Sequence, residues 1–286
     1  MTLICSECHD QQEPTSGQPR LLNGSSANQM CLSCHDNKDG IPDVSGENAN
    51  ALGGPRQGGA LTTATAGYEA WKGHALDATA PPPGGAWPGG ETRLRCVSCH
   101  SPHGNASYRN LGGVLPDPPL VTYTTSLTPT NAVEVRIDLP AVPAVGSRVA
   151  AGFYSATRIY FNQPSTLGSG YSAFCGGCHN DFHGVAQTGV ARPFRRHPSD
   201  GVGMPVAYVT RYNSRANRVP LLIAGNGAGA GATIASSVSC VSCHRAHGNR
   251  NPFGLILMKP TGLVTEEGVD GGRLTDLCSQ CHSEGG

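Results

Sequence analysis

The octapeptide Cys96-Val97-Ser98-Cys99-His100-Ser101-Pro102-His103 contains the pattern on which this chain is built: two cysteines separated by two residues, followed at once by a histidine. The pattern Cys-x-x-Cys-His occurs six times in the 286 residues, and the six copies contain all 12 cysteines. The other five copies are Cys5/Cys8/His9, Cys31/Cys34/His35, Cys175/Cys178/His179, Cys240/Cys243/His244 and Cys278/Cys281/His282. This spacing is the attachment signature of c-type haem, in which two thiols bond the porphyrin edge and the histidine binds iron.

Disulfides and zinc sites are the alternative uses for these cysteines. Twelve cysteines suffice for six disulfides or three four-cysteine zinc sites, but neither requires a histidine after the second cysteine of each pair. Histidine is only 11 of 286 residues, so six coincidences are not expected by chance. The sequence therefore predicts six covalent haem c groups, and no cysteine remains as a catalytic nucleophile. The predicted iron ligands from the motifs are His9, His35, His100, His179, His244 and His282.

The composition predicts a chain with little regular structure. Charged residues make up 14% and aromatic residues 6%, while there are 39 glycines and 22 prolines. Such a chain is rich in turns and poor in helix formers. We therefore expect a mostly irregular fold with short helices at the haem motifs and a minor β-hairpin, wrapped around a chain of haems as one domain over residues 1–286. Without haem the protein should be largely unfolded.

Alternating apolar and polar residues predict the hairpin. Residues 132–139 place Val133, Val135 and Ile137 between charged residues, which indicates a strand. Residues 152–161 are the second candidate strand, and the proline-rich segment 140–146 lies between them. Three glycine-rich segments are predicted to be loops: residues 40–66, 78–92 and 224–232.

Five histidines lie outside the haem motifs. His103 and His247 follow a motif histidine by three residues, and His183 follows by four. On a helix such pairs would share one face, roughly 5–6 Å apart. The two axial ligands of one iron lie on opposite sides of the ring, with backbones on the order of 10 Å apart or more. Each of these histidines is therefore predicted to bind the iron of a neighbouring haem. His74 and His197 stand alone and are further candidates.

Counting the histidines shows that the ligand set is incomplete. Six haems with two histidines each need more than the 11 histidines present. At least one iron per chain therefore has a different sixth ligand, and exchange between identical subunits does not change this count. The candidates are Met30, Met204, Met258, the N-terminal amine, water, no ligand at all, or a histidine beyond this sequence.

The chain resembles the OmcS-type hexahaem cytochromes in the order and spacing of its motifs. The resemblance covers the haem framework but not the loops, and it is carried by Gly73-His74 and by residues 96–104, 174–183, 196–198, 240–247 and 277–282. It implies an extracellular cytochrome that polymerises into filaments with one continuous haem stack. It also implies that His74 and His197 are iron ligands.

The chain departs from this family at two positions. The family has a histidine three residues after the first motif histidine, reaching into the next subunit, where this chain has Gln12. It also has Gly-His before the fifth motif, where this chain has Gly225-Asn226. The resemblance therefore implies that another group serves at the subunit junction, or that the junction depends on packing and haem–haem contact.

The sequence favours an electron-transfer protein over an enzyme. No constellation of acid and base residues indicates catalysis, and the basic residues are not clustered enough to predict nucleic-acid binding. No apolar run is long enough for a transmembrane helix. We expect an exported, extracellular filament subunit that has lost its signal peptide and delivers electrons to other redox proteins or external acceptors. The alternatives are a reductase that acts at the haem lacking a second histidine, and a monomeric periplasmic shuttle.

Overall fold

The computed structural model describes a series of short segments of the chain. These are residues 5–9, 22–36, 44, 58–59, 61, 70–112, 121–124, 135–137, 159–161, 170–179, 203–215, 219, 221, 231–249, 251–256 and 274–283. All six haem motifs lie within these residues, whereas His183, His197, Met258 and Gln12 lie outside them.

Short helices mark the haem motifs, as the sequence predicts. The helices are α1 (Cys5–Cys8), α2 (Ala27–His35), α3 (Cys96–Cys99), α4 (Gly170–Gly176), α5 (Val206–Asn213), α6 (Cys240–Cys243) and α7 (Leu274–Cys278). Every one except α5 contains the first cysteine of a motif. In five motifs the histidine N–H donates to the carbonyl of the first cysteine, for example His100 to Cys96 at 2.9 Å. This single turn brings both thiols and the imidazole of a motif together.

Local sequence explains why α3 and α6 start where they do. The residue before the first cysteine is extended, and its backbone N–H donates to a serine inside the motif. Arg95 N–H donates to Ser98 Oγ and Ser239 N–H donates to Ser242 Oγ, both at 3.0 Å. Each of these hydrogen bonds satisfies a backbone donor at the start of a one-turn helix.

A three-stranded sheet contains the predicted hairpin. Strand β2 (Val135–Ile137) pairs antiparallel with β3 (Ile159–Phe161), and the register joins Val135 to Phe161. This pairing confirms the hairpin, and the remaining residues of the two predicted strands lie outside the described residues. Strand β1 (Tyr123–Thr124) pairs parallel with β2 on its other side and was not predicted. Two residues are too few to produce an alternation that sequence can show.

Among the described residues, the buried apolar side chains form two clusters. The first joins the sheet to the middle motifs through Tyr108, Val121, Val135, Tyr171 and Val241. The second surrounds α5 near the last two motifs and consists of Met204, Tyr212, Val219, Leu221, Ala232 and Leu277. Both clusters touch haem-motif segments, so the limited apolar core is placed where haem would extend it.

Candidate haem-binding site

Cysteines of consecutive motifs lie beside one another along the whole series. Each thiol pair is close enough that one member shifts the pKa of the other. The pairs are Cys8 with Cys31, Cys31 with Cys96, Cys99 with Cys178, Cys175 with Cys240, and Cys243 with Cys281. The six motifs therefore follow one another in space in the order in which they occur in the sequence.

Two of these junctions are fixed by further contacts. Helix α2 packs against α3, and Asn28 Oδ1 accepts a hydrogen bond from the Cys96 N–H at 2.9 Å. Asn28 is 3% exposed, so this bond is sheltered from water. Helix α4 packs against α6, and Ser172 forms a hydrogen bond with the Cys240 thiol. The same two junctions hold the thiol pairs Cys31–Cys96 and Cys175–Cys240 in hydrogen-bond contact.

The second motif differs from the third and fifth motifs in the length of its helix and in the surroundings of Cys34. Helix α2 continues through this motif to His35, whereas the one-turn helices α3 and α6 end at their second cysteine. The half-buried Cys34 thiol lies 3.9 Å from the Ser33 hydroxyl. Burial raises the pKa of Cys8, and the nearby Cys31 and Cys34 thiols raise it further.

Cys31 and Cys34 have different neighbours in the structure. Both lie near Cys8 of the first motif, and Cys31 also forms a hydrogen bond with Cys96 of the third motif. A helix that includes both cysteines and the histidine still keeps them within about one turn of each other. Haem attachment at Cys34 is compatible with this geometry and stays a prediction.

Three motif histidines face a second histidine at nearly the same distance. The ring centroids of His9 and His103 are 6.1 Å apart, and those of His74 and His179 are 6.0 Å apart. His100 and His247 are 6.2 Å apart. Imidazoles on opposite sides of one iron have two metal–nitrogen bonds of about 2 Å each, with each centroid roughly 1 Å further out, so about 6 Å separates the rings. The three spacings therefore fit an iron between each pair.

Hydrogen bonds to backbone carbonyls set which ring nitrogen is available. The Nδ1–H groups of His100, His179 and His244 donate to the carbonyls of Arg109 (2.9 Å), Pro83 (2.8 Å) and Phe253 (2.8 Å). His74 Nδ1–H donates likewise to the Ala246 carbonyl. A histidine that donates from Nδ1 keeps an unprotonated Nε2, which is the atom that a metal needs. In the His74–His179 pair both rings have this arrangement.

The third and fifth motifs belong to one structural unit that occurs twice. Residues 96–112 and 240–256 share the order Cys-Val-Ser-Cys-His, then His-Gly-Asn, then a leucine bridged to the motif histidine. In both copies the residue that accepts the Nδ1 hydrogen bond is left-handed, with φ of 56° at Arg109 and 57° at Phe253. An asparagine in each copy donates to the leucine carbonyl, at 2.7 Å from Asn105 and 3.0 Å from Asn249.

Close backbone contacts hold two of the facing histidines side by side. His74 N–H donates to the His247 carbonyl at 3.0 Å, and His247 N–H donates to the Gly58 carbonyl at 2.7 Å. Gly59 and Gly73 both form bridges with Gly248. A Cβ on Gly73 would lie 2.5 Å from Gly248 Cα and 2.5 Å from the His247 carbonyl oxygen. Glycine is therefore required where these three segments meet, which we call the glycine junction.

Burial keeps several histidine and cysteine side chains of the haem motifs and their facing residues uncharged. Burial lowers the pKa of His74 and His100, and it lowers the pKa of His247 to about 3. These imidazoles are therefore neutral at physiological pH, as iron ligation requires. Burial also raises the pKa of the Cys99 and Cys243 thiols to about 12. The neutral, water-poor surroundings suit an apolar porphyrin.

The structure brings together most of the predicted site residues but corrects one premise. All 12 cysteines are described, and none is in a disulfide. Helices α3 and α6 end at the second cysteine, so the three-residue spacing of His100–His103 and His244–His247 is not helical. The premise of a shared helix face was therefore wrong. His103 faces His9 of the first motif and His247 faces His100 of the third, and iron binding by these two histidines stays a prediction.

Three features of the site were missed from sequence. The repeated unit was visible as two copies of Cys-Val-Ser-Cys-His with His-Gly-Asn at the same offset. The carbonyl partners of the Nδ1 atoms leave no sequence signal, because any residue supplies a carbonyl. Tyr208 on α5 meets His282 of the last motif edge-on, with ring centroids 4.8 Å apart. Of the candidate methionine ligands, Met204 is packed in the second apolar cluster.

Comparison with known protein families gives one match. The model of the "Doubled CXXCH motif" family matches residues 2–40 and 233–286, which contain the first two and the last two motifs. No curated protein sequence matches the chain. Within the segments that the structure describes, no helix has the length and hydropathy needed to cross a membrane.

Two solved structures share the architecture of the chain. One is the cryo-EM structure of OmcS nanowires from Geobacter sulfurreducens, with 20% identity and a TM-score of 0.52; the match covers 88% of this chain and 83% of that chain. The other is the outer membrane cytochrome S filament from the same organism, with 21% identity, a TM-score of 0.53 and the same coverage. The likeness to these two structures shows the fold, and the paired motifs support covalently bound haem as the cofactor. The chain therefore has the fold of the OmcS-type cytochromes and carries the paired attachment motifs of a multihaem c-type cytochrome.

Proposed function

We propose that the chain is an extracellular electron conduit with six covalent haem c groups, and that it polymerises into a filament. The observation that carries this proposal is the order of the thiol neighbours. Cysteines of consecutive motifs lie near one another along the series, and at two junctions their thiols form hydrogen bonds. Adjacent thiols would hold the attached edges of neighbouring porphyrins side by side. The result is one uninterrupted line of redox centres in a single domain of residues 1–286.

The proposed ligand set follows from the site geometry. Each motif supplies two thioether bonds and one iron ligand, and the histidine pairs His9/His103, His100/His247 and His179/His74 each serve one iron. His183 and His197 are the remaining candidates for second ligands. When bound, haem iron supplies reversible one-electron chemistry. The chain's own residues hold the imidazoles neutral, orient them through backbone carbonyls and keep water away.

Extracellular placement and polymerisation are proposed from the neighbouring folds. Both solved neighbours are filaments, and each match spans most of both chains. Covalent haem attachment of this kind takes place outside the cytoplasmic membrane, which also supports an exported protein. The partners of the filament would be other redox proteins or external electron acceptors.

Three measurements on the purified holoprotein test these proposals. Intact mass and a haem assay should give six haems per chain, and voltammetry should show reversible waves without substrate. Cryo-electron microscopy should show filaments at high protein concentration. Monomers alone at every concentration would contradict polymerisation, and fewer than six haems would contradict the hexahaem assignment.

A reductase is the second candidate, because the 11 histidines of this sequence do not supply two ligands to each of six irons, and an iron with an open sixth position would bind a substrate. An open iron would give a high-spin ferric signal that shifts on addition of nitrite or cyanide, followed by turnover with a reductant. Uniformly low-spin iron that ignores both anions would favour the conduit alone.

A further inference from the structure

We infer that Arg211 on helix α5 raises the reduction potential of the haem attached to the sixth motif. The inference rests on the proposed hexahaem function and deepens it, because it names a residue that sets the energy of one redox centre. Helix α5 carries no haem motif of its own, yet two of its side chains, Tyr208 and Arg211, contact the sixth motif.

Two arginines and a buried glutamine hold the two residues between the cysteines of the sixth motif. The Arg211 Nε–H donates to the Ser279 carbonyl at 2.7 Å, and Arg215 Nη2 donates to the same oxygen at 3.1 Å. The next residue, Gln280, is 3% exposed, and its Oε1 accepts a hydrogen bond from the Val219 N–H at 2.8 Å. The segment between the two thiols therefore has a fixed position relative to Arg211.

One side of helix α5 lies against the predicted haem position. Tyr208 meets the ring of His282 edge-on, with centroids 4.8 Å apart. Arg211 follows Tyr208 by three residues, and residues three apart lie on the same side of a helix. Tyr208, Arg211 and Cys281 line one open cavity of about 340 Å³. Arg211 therefore shares this cavity with the thiol that would carry the sixth haem.

The charge of Arg211 is placed to act on this haem. In the segments that the structure describes, no carboxylate lies within ion-pair distance of Arg211, which is half-buried and donates to a neutral carbonyl. A half-buried charge is screened less by salt than an exposed one. Reduction removes one positive charge from the iron–porphyrin core, so a nearby cation favours the reduced form. Arg211 therefore makes the sixth haem a better electron acceptor.

Redox titration of the full-length holoprotein, followed optically and fitted as six one-electron steps, tests the inference. In Arg211→Gln one step should move to a lower potential while the others stay in place. Arg211→Lys keeps the charge and should leave all steps near their wild-type positions. Arg211→Glu should move the same step about twice as far as Arg211→Gln, because the charge changes by two units instead of one. No shift in Arg211→Gln, or an equal shift in Arg211→Lys, would overturn the inference.

Arg215→Gln is the matched control. Arg215 donates to the same Ser279 carbonyl, but it is not among the described residues that line the cavity. It should therefore move the step much less than Arg211→Gln does. Equal shifts would show that the held carbonyl, and not the charge in the cavity, sets the potential, and the inference would fall.

Removal of the sixth haem assigns the shifted step. Replacing Cys278 and Cys281 with alanine should delete one step, and adding Arg211→Gln to that variant should move none of those that remain. Where the haem-deleted chain does not accumulate, Tyr208→Lys marks the same haem, because it adds a cation beside His282 and should raise the step that Arg211→Gln lowers. A shift that survives the deletion, or shifts of two different steps, would overturn the inference. Fewer than six haems in the wild type would instead count against the proposed function, so the two failures are distinguishable.

Discussion

Replacing Gly73 with alanine should damage two iron sites through a single methyl group. The new Cβ would lie 2.5 Å from Gly248 Cα and from the His247 carbonyl oxygen. Carbon atoms in contact normally lie about 3.5–4.0 Å apart, so the two segments must separate by about 1 Å. His74 and His247 lie in these segments, and their facing partners are 6.0 and 6.2 Å away. Metal–nitrogen bonds cannot stretch by that amount, so at least one ligand should leave.

The expected result is a change of spin state with full haem content. Gly73→Ala should gain one or two high-spin ferric irons per chain in electron paramagnetic resonance while the mass still shows six haems. Overpacking of this kind typically costs about 1–3 kcal/mol, which denaturant unfolding should detect.

Gly231→Ala is the matched control for this variant. The nearest atoms to its Cβ would belong to the Asn213 side chain, the closest at 3.4 Å, which is an ordinary contact. The control should keep the wild-type spin state and unfolding midpoint. A Gly73→Ala protein that behaves like Gly231→Ala would refute the reasoning that the glycine junction sets the ligand spans.

Three further predictions concern other parts of the molecule. The ring planes of His9/His103 and His74/His179 meet at 26° and 25°, but those of His100/His247 meet at 67°. In low-spin ferric spectra these three irons should therefore give two ordinary rhombic signals and one signal with a much larger maximum g value. The single substitution His247→Ala should remove the signal with the large g value. Arg109→Val should destabilise the ferric protein by about 1–2 kcal/mol in denaturant unfolding, because a β-branched residue resists the left-handed backbone at this position. Arg109→Gly should change the stability by less than about 1 kcal/mol. Equal effects of the two substitutions would contradict this reasoning. A chain with all 12 cysteines changed to alanine should show little helical circular dichroism, since the apolar clusters among the described residues are small. A native-like spectrum would contradict a haem-dependent fold.

Local patterns in the sequence predict the parts of this fold that depend on local forces. The cysteine spacing predicts one-turn helices because the motif histidine bonds back to the first cysteine. Alternation predicts the pairing of β2 with β3 because apolar and charged residues take turns along β2. Helix α5 was missed: it follows Pro205 without a side-chain cap, and its Val206 is 69% exposed, so its apolar pattern is weak.

The pairing of histidines depends on tertiary structure and could not be predicted residue by residue. Sequence spacing indicates that His103 and His247 serve neighbouring haems, but it does not say which ones. His103 faces the first motif and His247 faces the third, and both partners are far away along the chain. The glycine junction decides the position of His247, and it forms only when three distant segments meet.

The facing histidines are far apart in the sequence, and this separation has a consequence for the order in which the haem sites are completed. In the proposed exported protein, His9 and its two thiols would emerge long before His103, and the third motif would emerge long before His247. During that interval an attached haem would have one protein ligand and an exposed iron face, open to oxygen and to misligation by the wrong histidine. Completion of the iron sites would then be ordered by translocation, with the third motif among the last to close. Cells that make such a protein have reason to shield the half-finished chain until its later segments emerge.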